Sequence, residues 1–420
     1  MSHATAPAAP LGGRILTRPM MVLLGLFGLA CVLLLWRFFA GLGAVTAMSD
    51  RFPWGLWIAY DVVTGTALAC GGYAVAILIY IVNRGRFHPL IRSAIVTSAL
   101  GYTLGGASVV IDLGRFWNVW KVPTSFWKWN FSSILLEVAL CIMAYTCVLW
   151  IELAPAFLER ARSAPGERLR RLAERTLPPL DKAMPFLVAL GLLLPTMHQS
   201  SLGSLMMLSG LKLHPLWQTP LLPLLFLVSC ICMGYGVVVL ESSLSTHFFR
   251  LPRETPLLAQ LARVVAPIQA GYVVVRLGDL ALRGRLGLIF TSGFFSGLFL
   301  VEMALFIVPV VLIYASARLT AGALFRVGMT IVLAGALYRF STFLIAFRPA
   351  PGWVYFPSLG ETLITVGLIA GEIAAYVFIV KQFPILQGRT PAARPRLLGE
   401  EVLSKIPMPH APSAAPAAGD

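Results

Sequence analysis

The chain has 420 residues, of which 58% are hydrophobic and only 12% charged, with a mean hydropathy of +0.81. That balance excludes a set of soluble domains and describes an integral membrane protein. The formal net charge of +15 does not point to nucleic acid, because the basic residues fall mostly between long apolar runs.

Residues 1–19 are Ala/Pro-rich and read as a short cytoplasmic tail. The first apolar run, 20–47, is too long for a secretory signal and lacks a small-residue cleavage site, so it is expected to remain in the membrane. A helix needs about twenty apolar residues to cross the hydrocarbon. Runs of that kind follow at 53–82, 90–113, 130–155, 183–210, 219–241, 257–280, 287–315, 321–346 and 356–380, which makes ten spans in an all-α integral membrane protein. They are continuously apolar, not alternating, which excludes transmembrane strands. The tail 386–420, rich in Arg, Pro and Ala, reads as disordered and cytoplasmic.

Sorting Lys and Arg by side gives 20 on the side of both termini, 8 on the other and 5 within spans. The positive-inside rule then places both termini in the cytoplasm, with the segment 160–182 as a basic cytoplasmic loop. On the opposite side tryptophans accumulate: Trp54, Trp57, Trp117, Trp120, Trp127, Trp129, Trp217 and Trp353. Some of them are expected at lipid headgroups, and the stretch RFWNVWKVPTSFWKWN (115–130) is expected to form an aromatic and basic surface for an extracytoplasmic partner.

A weak internal repeat at an offset near 165 residues relates spans two to five to spans six to nine. Cys70–Tyr73 matches Cys232–Tyr235, Asp112–Leu113 matches Asp279–Leu280, Leu135–Leu140 resembles Leu300–Leu305, and His198 falls opposite Arg339. The expectation is two parallel four-helix bundles, 53–210 and 219–346, flanked by spans one and ten.

Ionisable residues inside a membrane are costly and by default functional. Asp61, Asp112, Glu137 and His198 are expected in the outer half of the first bundle and Tyr102 nearer mid-depth, making with Arg115 one hydrogen-bonding, proton-exchanging group in an apolar box, which suits a quinone. An Asp112–Arg115 ion pair at i, i+3 and packing hydrogen bonds by Asp61 and His198 are the plainer alternatives. Arg276, Asp279, Glu302 and Arg339 carry both signs and are expected to neutralise one another. The six cysteines lie in apolar runs with no metal-binding spacing, and bis-histidine haem ligation lacks a second histidine within a span beside His198. No haem, iron-sulfur cluster or metal site is therefore expected in the chain, and its electrons would come from a partner.

The segments Phe52–Tyr73, Gly101–Arg115, the Trp-rich loop and Met197–Ser204 resemble the polysulfide-reductase/NrfD superfamily, and within it the HybB-type membrane subunits of periplasmic uptake nickel-iron hydrogenases. The resemblance covers roughly residues 20–385. It implies a haem-free anchor reacting with menaquinone or ubiquinone, docked to a periplasmic iron-sulfur subunit and through it to the hydrogenase large and small subunits. It also implies proton transfer by Tyr102 and Glu137, with Asp61, Tyr102, Asp112, Arg115 and His198 at quinone-site positions. The superfamily also serves molybdenum and sulfur enzymes. A parallel repeat with charges at mid-depth is also a transporter layout, and a purely structural anchor is a third reading.

Overall fold

The computed structural model describes residues 8–162, 166–251, 254–353 and 355–386. The expected tails at 1–7 and 387–420 lie outside the described residues. Among these, ten helices are long and apolar enough to cross a membrane: α1 Arg18–Ala40, α2 Trp57–Ile81, α3 Gly85–Asp112, α4 Ile134–Arg162, α5 Glu167–Leu208, α6 Leu222–Phe249, α7 Thr255–Leu282, α8 Phe294–Ala315, α9 Ala321–Ile345 and α10 Leu359–Gln382. The chain is thus a multi-pass, all-helical integral membrane protein.

In the first bundle α3 packs on α2 and α4, and α4 lies along α5; in the second α7 packs on α6 and α8, α8 on α9, and α9 returns to α6. Helix α6 joins the two, touching α2 and α5 as well. Its approach to α2 is close because Gly234 has no side chain: a Cβ there would lie 2.5 Å from the Cys70 carbonyl oxygen. Helices α1 and α10 pair with each other instead of standing at separate ends, and α10 packs on α3. The pairing rests on Gly367-Leu-Ile-Ala-Gly371, since a Cβ at either glycine would lie 2.4 Å from Ala30 or Phe27.

The two ends of the described residues meet on one face: the backbone of Ala9 and Leu11 donates to Leu386 and Val380 at 3.2 Å. The opposite, distal face is tied by the loops before α6 and after α9, with His214 N to Ala346 O at 3.0 Å and Arg348 N to Lys212 O at 2.7 Å.

Two segments differ from expectation. The supposed loop 160–182 is helical up to Arg162 and again from Glu167, and α5 runs for 42 residues, about 60 Å, well past the membrane. Ion pairs from Glu167 to Arg170 (2.5 Å) and Arg171 (2.7 Å), one turn away, help the polar part remain helical. Helix α2 is irregular: π-helical turns at Trp57–Val62 and Ile77–Ile81 flank two short α-segments, Gly65–Leu68 and Gly71–Ala76. Side chains compete for its carbonyls, Thr64 with Ala59 O (3.1 Å), Thr66 with Val62 O (2.6 Å) and Cys70 with Thr66 O (3.1 Å). Such departures re-aim side chains, here toward both neighbours of α2.

Candidate functional site

The polar residues foreseen in one cavity form two groups on opposite sides of α2. Between α2, α3 and α5, Tyr102 Oη lies 3.3 Å from His198 Nδ1, and both residues are fully buried. Gln199 Nε2 reaches His198 Nδ1 (3.2 Å), Tyr102 Oη (3.4 Å) and Thr66 Oγ1 (3.2 Å). Thr66 already donates to Val62, so its oxygen accepts from the Gln199 amide. Cys70 Sγ closes the group 3.5 Å from Tyr102 Oη, and the Tyr145 ring of α4 stands edge-on to the Tyr102 ring, with centroids 4.5 Å apart.

This network sets the histidine tautomer. An amide NH2 can only donate, so Nδ1 accepts and the ring proton sits on Nε2. Nε2 and Gln199 Oε1 are both buried and have no partner among the described residues. The group therefore presents one free donor and one free acceptor beside a phenol, about 15 Å below the distal ends of α3 and α5. On the side of α6 and α9, Arg339 is fully buried and donates to Val63 O (3.1 Å) and Phe226 O (2.6 Å). Its positive charge lies close enough to act on His198 and Tyr102.

The second group joins α2 and α3 to the terminal helices. Asp61 accepts from Thr365 of α10 at 3.0 Å, and its other oxygen is buried without a partner. Asp112 does not pair with Arg115: α3 ends at Asp112 and Leu113 is extended (ψ 120°), so the i, i+3 relation is lost and Arg115 is exposed. The cation beside Asp112 is Arg37 of α1, 1% exposed, which donates to the α3 carbonyls of Ile111 (2.7 Å) and Leu113 (2.6 Å). It thereby fills acceptors that a helix C-terminus otherwise leaves open. Glu361 of α10 faces Asp112 and accepts from Tyr355 (2.5 Å) and the Ala47 amide (3.0 Å).

Glu137 joins neither group. It is half-buried near the distal end of α4 and makes no side-chain hydrogen bond to the described residues. Its helix face carries Cys141 and then Tyr145 at i+4 and i+8, so it lies about 12 Å from the contact with Tyr102. Gln199, Thr66, Arg37 and Glu361 were missed in the sequence. Gln199 stood next to His198, and Ser358-x-x-Glu361 is a legible helix cap, formed here on both sides.

The distal tryptophans divide. Trp57 and Trp217 are fully buried core residues, whereas Trp117, Trp120, Trp127 and Phe126 are exposed, and Phe131 is 85% exposed. Three single helical turns, Phe116–Asn118, Lys121–Thr124 and Phe126–Lys128, hold this strip, and Trp129 Nε1 fastens it to Val122 O at 2.7 Å.

Residues 44–348 match the family described as polysulphide reductase, NrfD. The chain belongs to this family. It is 41% identical over 392 residues, 92% of its length and 96% of the relative's, to the probable Ni/Fe-hydrogenase 2 b-type cytochrome subunit of Escherichia coli K12. It is 33% identical over 165 residues to the menaquinone reductase integral membrane subunit of Nitratidesulfovibrio vulgaris, covering 39% of this chain and 37% of that one. Over 215 residues it is 25% identical to a selenate reductase subunit of Mesobacillus selenatarsenatis, covering 46% and 49% of the two chains. The first name speaks of a b-type cytochrome. Bis-histidine haem needs two facing imidazoles, and among the described residues the central group offers only His198.

Proposed function

We propose that this NrfD-family chain is the quinone-reactive membrane anchor of a hydrogen:quinone oxidoreductase in the bacterial cytoplasmic membrane, with both termini in the cytoplasm. The observation that carries the reading is the pair of unpartnered buried atoms, His198 Nε2 and Gln199 Oε1, beside the Tyr102 hydroxyl. A quinone carbonyl accepts from a neutral imidazole N–H, and a quinol hydroxyl donates to an amide oxygen, so the two atoms match the oxidised and reduced headgroup. Menaquinone and ubiquinone share this chemistry. The bound quinone supplies two-electron redox chemistry, and the chain's residues bind it and move its protons.

Tyr102 is placed to exchange the headgroup proton. Glu137, two turns distal of Tyr145, is assigned to proton exchange between this group and the distal surface. Asp61 and Asp112 with Arg37 are assigned to the wall between the site and the terminal helices, and Arg115 to the docking face. Electrons would arrive from a periplasmic iron-sulfur subunit seated on the strip 116–131, with the nickel-iron hydrogenase beyond it. The hydrogenase name of a relative aligned over nearly its whole length supports that donor, and the menaquinone and selenate reductase names of the other two keep a different oxidoreductase as the second reading.

The test is hydrogen-driven quinone reduction in membranes that carry Tyr102→Phe, beside dye-linked hydrogenase activity in the same membranes. The reading expects the first to fall by about a hundredfold or more and the second to stay. Equal rates in both assays would remove Tyr102 from the reaction. Isolation of a molybdenum enzyme with the tagged chain would replace the donor and keep the site.

A further inference from the structure

The second bundle holds a buried polar group of its own, made by α7, α8 and α9. Arg276 is fully buried, and none of its three guanidinium nitrogens has a partner. It lies between the Phe299 and Tyr338 rings, 5.5 and 5.6 Å from their centroids. Glu302 is also fully buried: one carboxylate oxygen accepts from Trp217 Nε1 at 2.8 Å, and the other has no partner. The hydroxyls of Tyr272 and Tyr338 are likewise buried and face each other, with no other partner among the described residues. The mutual neutralisation expected from the sequence does not occur by contact. Asp279 pairs with Arg283 at 3.6 Å, Arg339 donates to carbonyls, and Arg276 meets no acid within hydrogen-bond distance although the Glu302 charge is close enough to act on it.

Three guanidinium nitrogens of Arg276 in an aromatic slot and one Glu302 oxygen, without a partner among the described residues, cannot be left dry in a membrane interior without a large desolvation cost. Water is the small molecule that both donates and accepts, and buried water gathers where two to four such groups converge. A carboxylate whose free oxygen faces that water can take up and release a proton. The groups facing it are Arg276 and Tyr272 of α7, Tyr338 and Arg339 of α9 and the Trp217 indole, with Asp279 and Arg283 at the distal end of α7. Tyr338 precedes Arg339 on α9, and Arg339 donates to Val63 O (3.1 Å) of α2, the helix that brings Thr66 and Cys70 to the Tyr102–His198 group, so α9 connects the two sites.

We infer that Arg276, Glu302, Tyr272 and Tyr338 form an internal hydrated site in which Glu302 exchanges a proton with bound water, and that its protonation is coupled through Arg339 to turnover at the Tyr102–His198 site. The coupling rests on the quinone reading above; the hydrated site does not.

Infrared difference spectra of the full-length chain in lipid nanodiscs test the two parts separately. A pH step is expected to produce a carboxyl band that shifts in D2O and is lost in Glu302→Gln, a variant that can still accept from Trp217. A spectrum identical in wild type and Glu302→Gln overturns the site. Adding a short-chain menaquinol analogue is expected to move the same band; a band that answers pH and not quinol overturns the coupling. The double variant Arg276→Met with Glu302→Leu guards against misfolding, because apolar residues of similar volume commonly replace a buried ion pair without loss of stability. It is expected to assemble, to turn over quinol about tenfold more slowly and to have an altered pH profile. An unchanged rate and profile would overturn the coupling and leave the group a structural role only.

Discussion

The 3.3 Å contact between Tyr102 Oη and His198 Nδ1 joins α3 to α5 at mid-depth and orients an imidazole whose other nitrogen is free. That relation separates two effects by mutation. His198→Asn keeps an acceptor near the Nδ1 position for Tyr102 and Gln199 and deletes the Nε2–H. One hydrogen bond of about 1–1.5 kcal/mol is lost to a bound quinone, so apparent KM is expected to rise by about tenfold with assembly unchanged. Steady-state kinetics with a soluble quinone analogue checks it.

Glu137→Gln removes the proposed proton donor and leaves the Tyr102 group untouched. Quinone-linked turnover is expected to fall while dye-linked activity and complex assembly remain. Full quinone reduction in that variant would return Glu137 to a packing role.

Arg37→Met takes away the cation that fills two α3 carbonyls and accompanies Asp112. Breaking a buried charged network by removing one partner costs about 3–5 kcal/mol. A lower thermal midpoint in detergent is expected, and converting Asp112 to Asn in the same chain should recover part of it.

Gly367→Leu places a side chain where a Cβ already lies 2.4 Å from Ala30. Detachment of α1 from α10 is expected, measured as lost cross-linking between cysteines placed on the two helices. Gly278→Leu is the control, since no atom lies within 4 Å of a Cβ at Gly278.

His214 lies outside the spans, stacked on Phe295 with centroids 4.2 Å apart, its Nδ1 accepting from the Leu216 amide at 3.3 Å. Burial, with the Arg348 guanidinium adding to it, holds its imidazole below the ordinary histidine range. A depressed folded-state value means that the unfolded chain binds the proton more readily, so this stability is complete above about pH 6.5 and is lost as the pH falls below it. Thermal midpoints should decline toward pH 5, and His214→Gln should flatten that decline.

The ten helices were legible because hydropathy acts along the chain. Tyr102 and His198 were legible as polar groups at matching depths. The lateral arrangement was not: nothing local in α1 says that Arg37 will meet the end of α3, and nothing in α2 says that Asp61 and Thr66 will face opposite neighbours. The irregular turns of α2 decide that second point, and they arise from side-chain competition for carbonyls that periodicity does not register. The alternative of an Asp112–Arg115 pair is not realised, because the helix ends between the two residues.

The pairing of α1 with α10 gives the chain a timetable. The first helix to leave the ribosome finds its main partner only when the last has been made, so Arg37 can dock on α3 early while Glu361 and Thr365 reach Asp112 and Asp61 last. Until then the wall behind Asp61 faces lipid, and a membrane chaperone or quality-control protease has a window that closes with the final span.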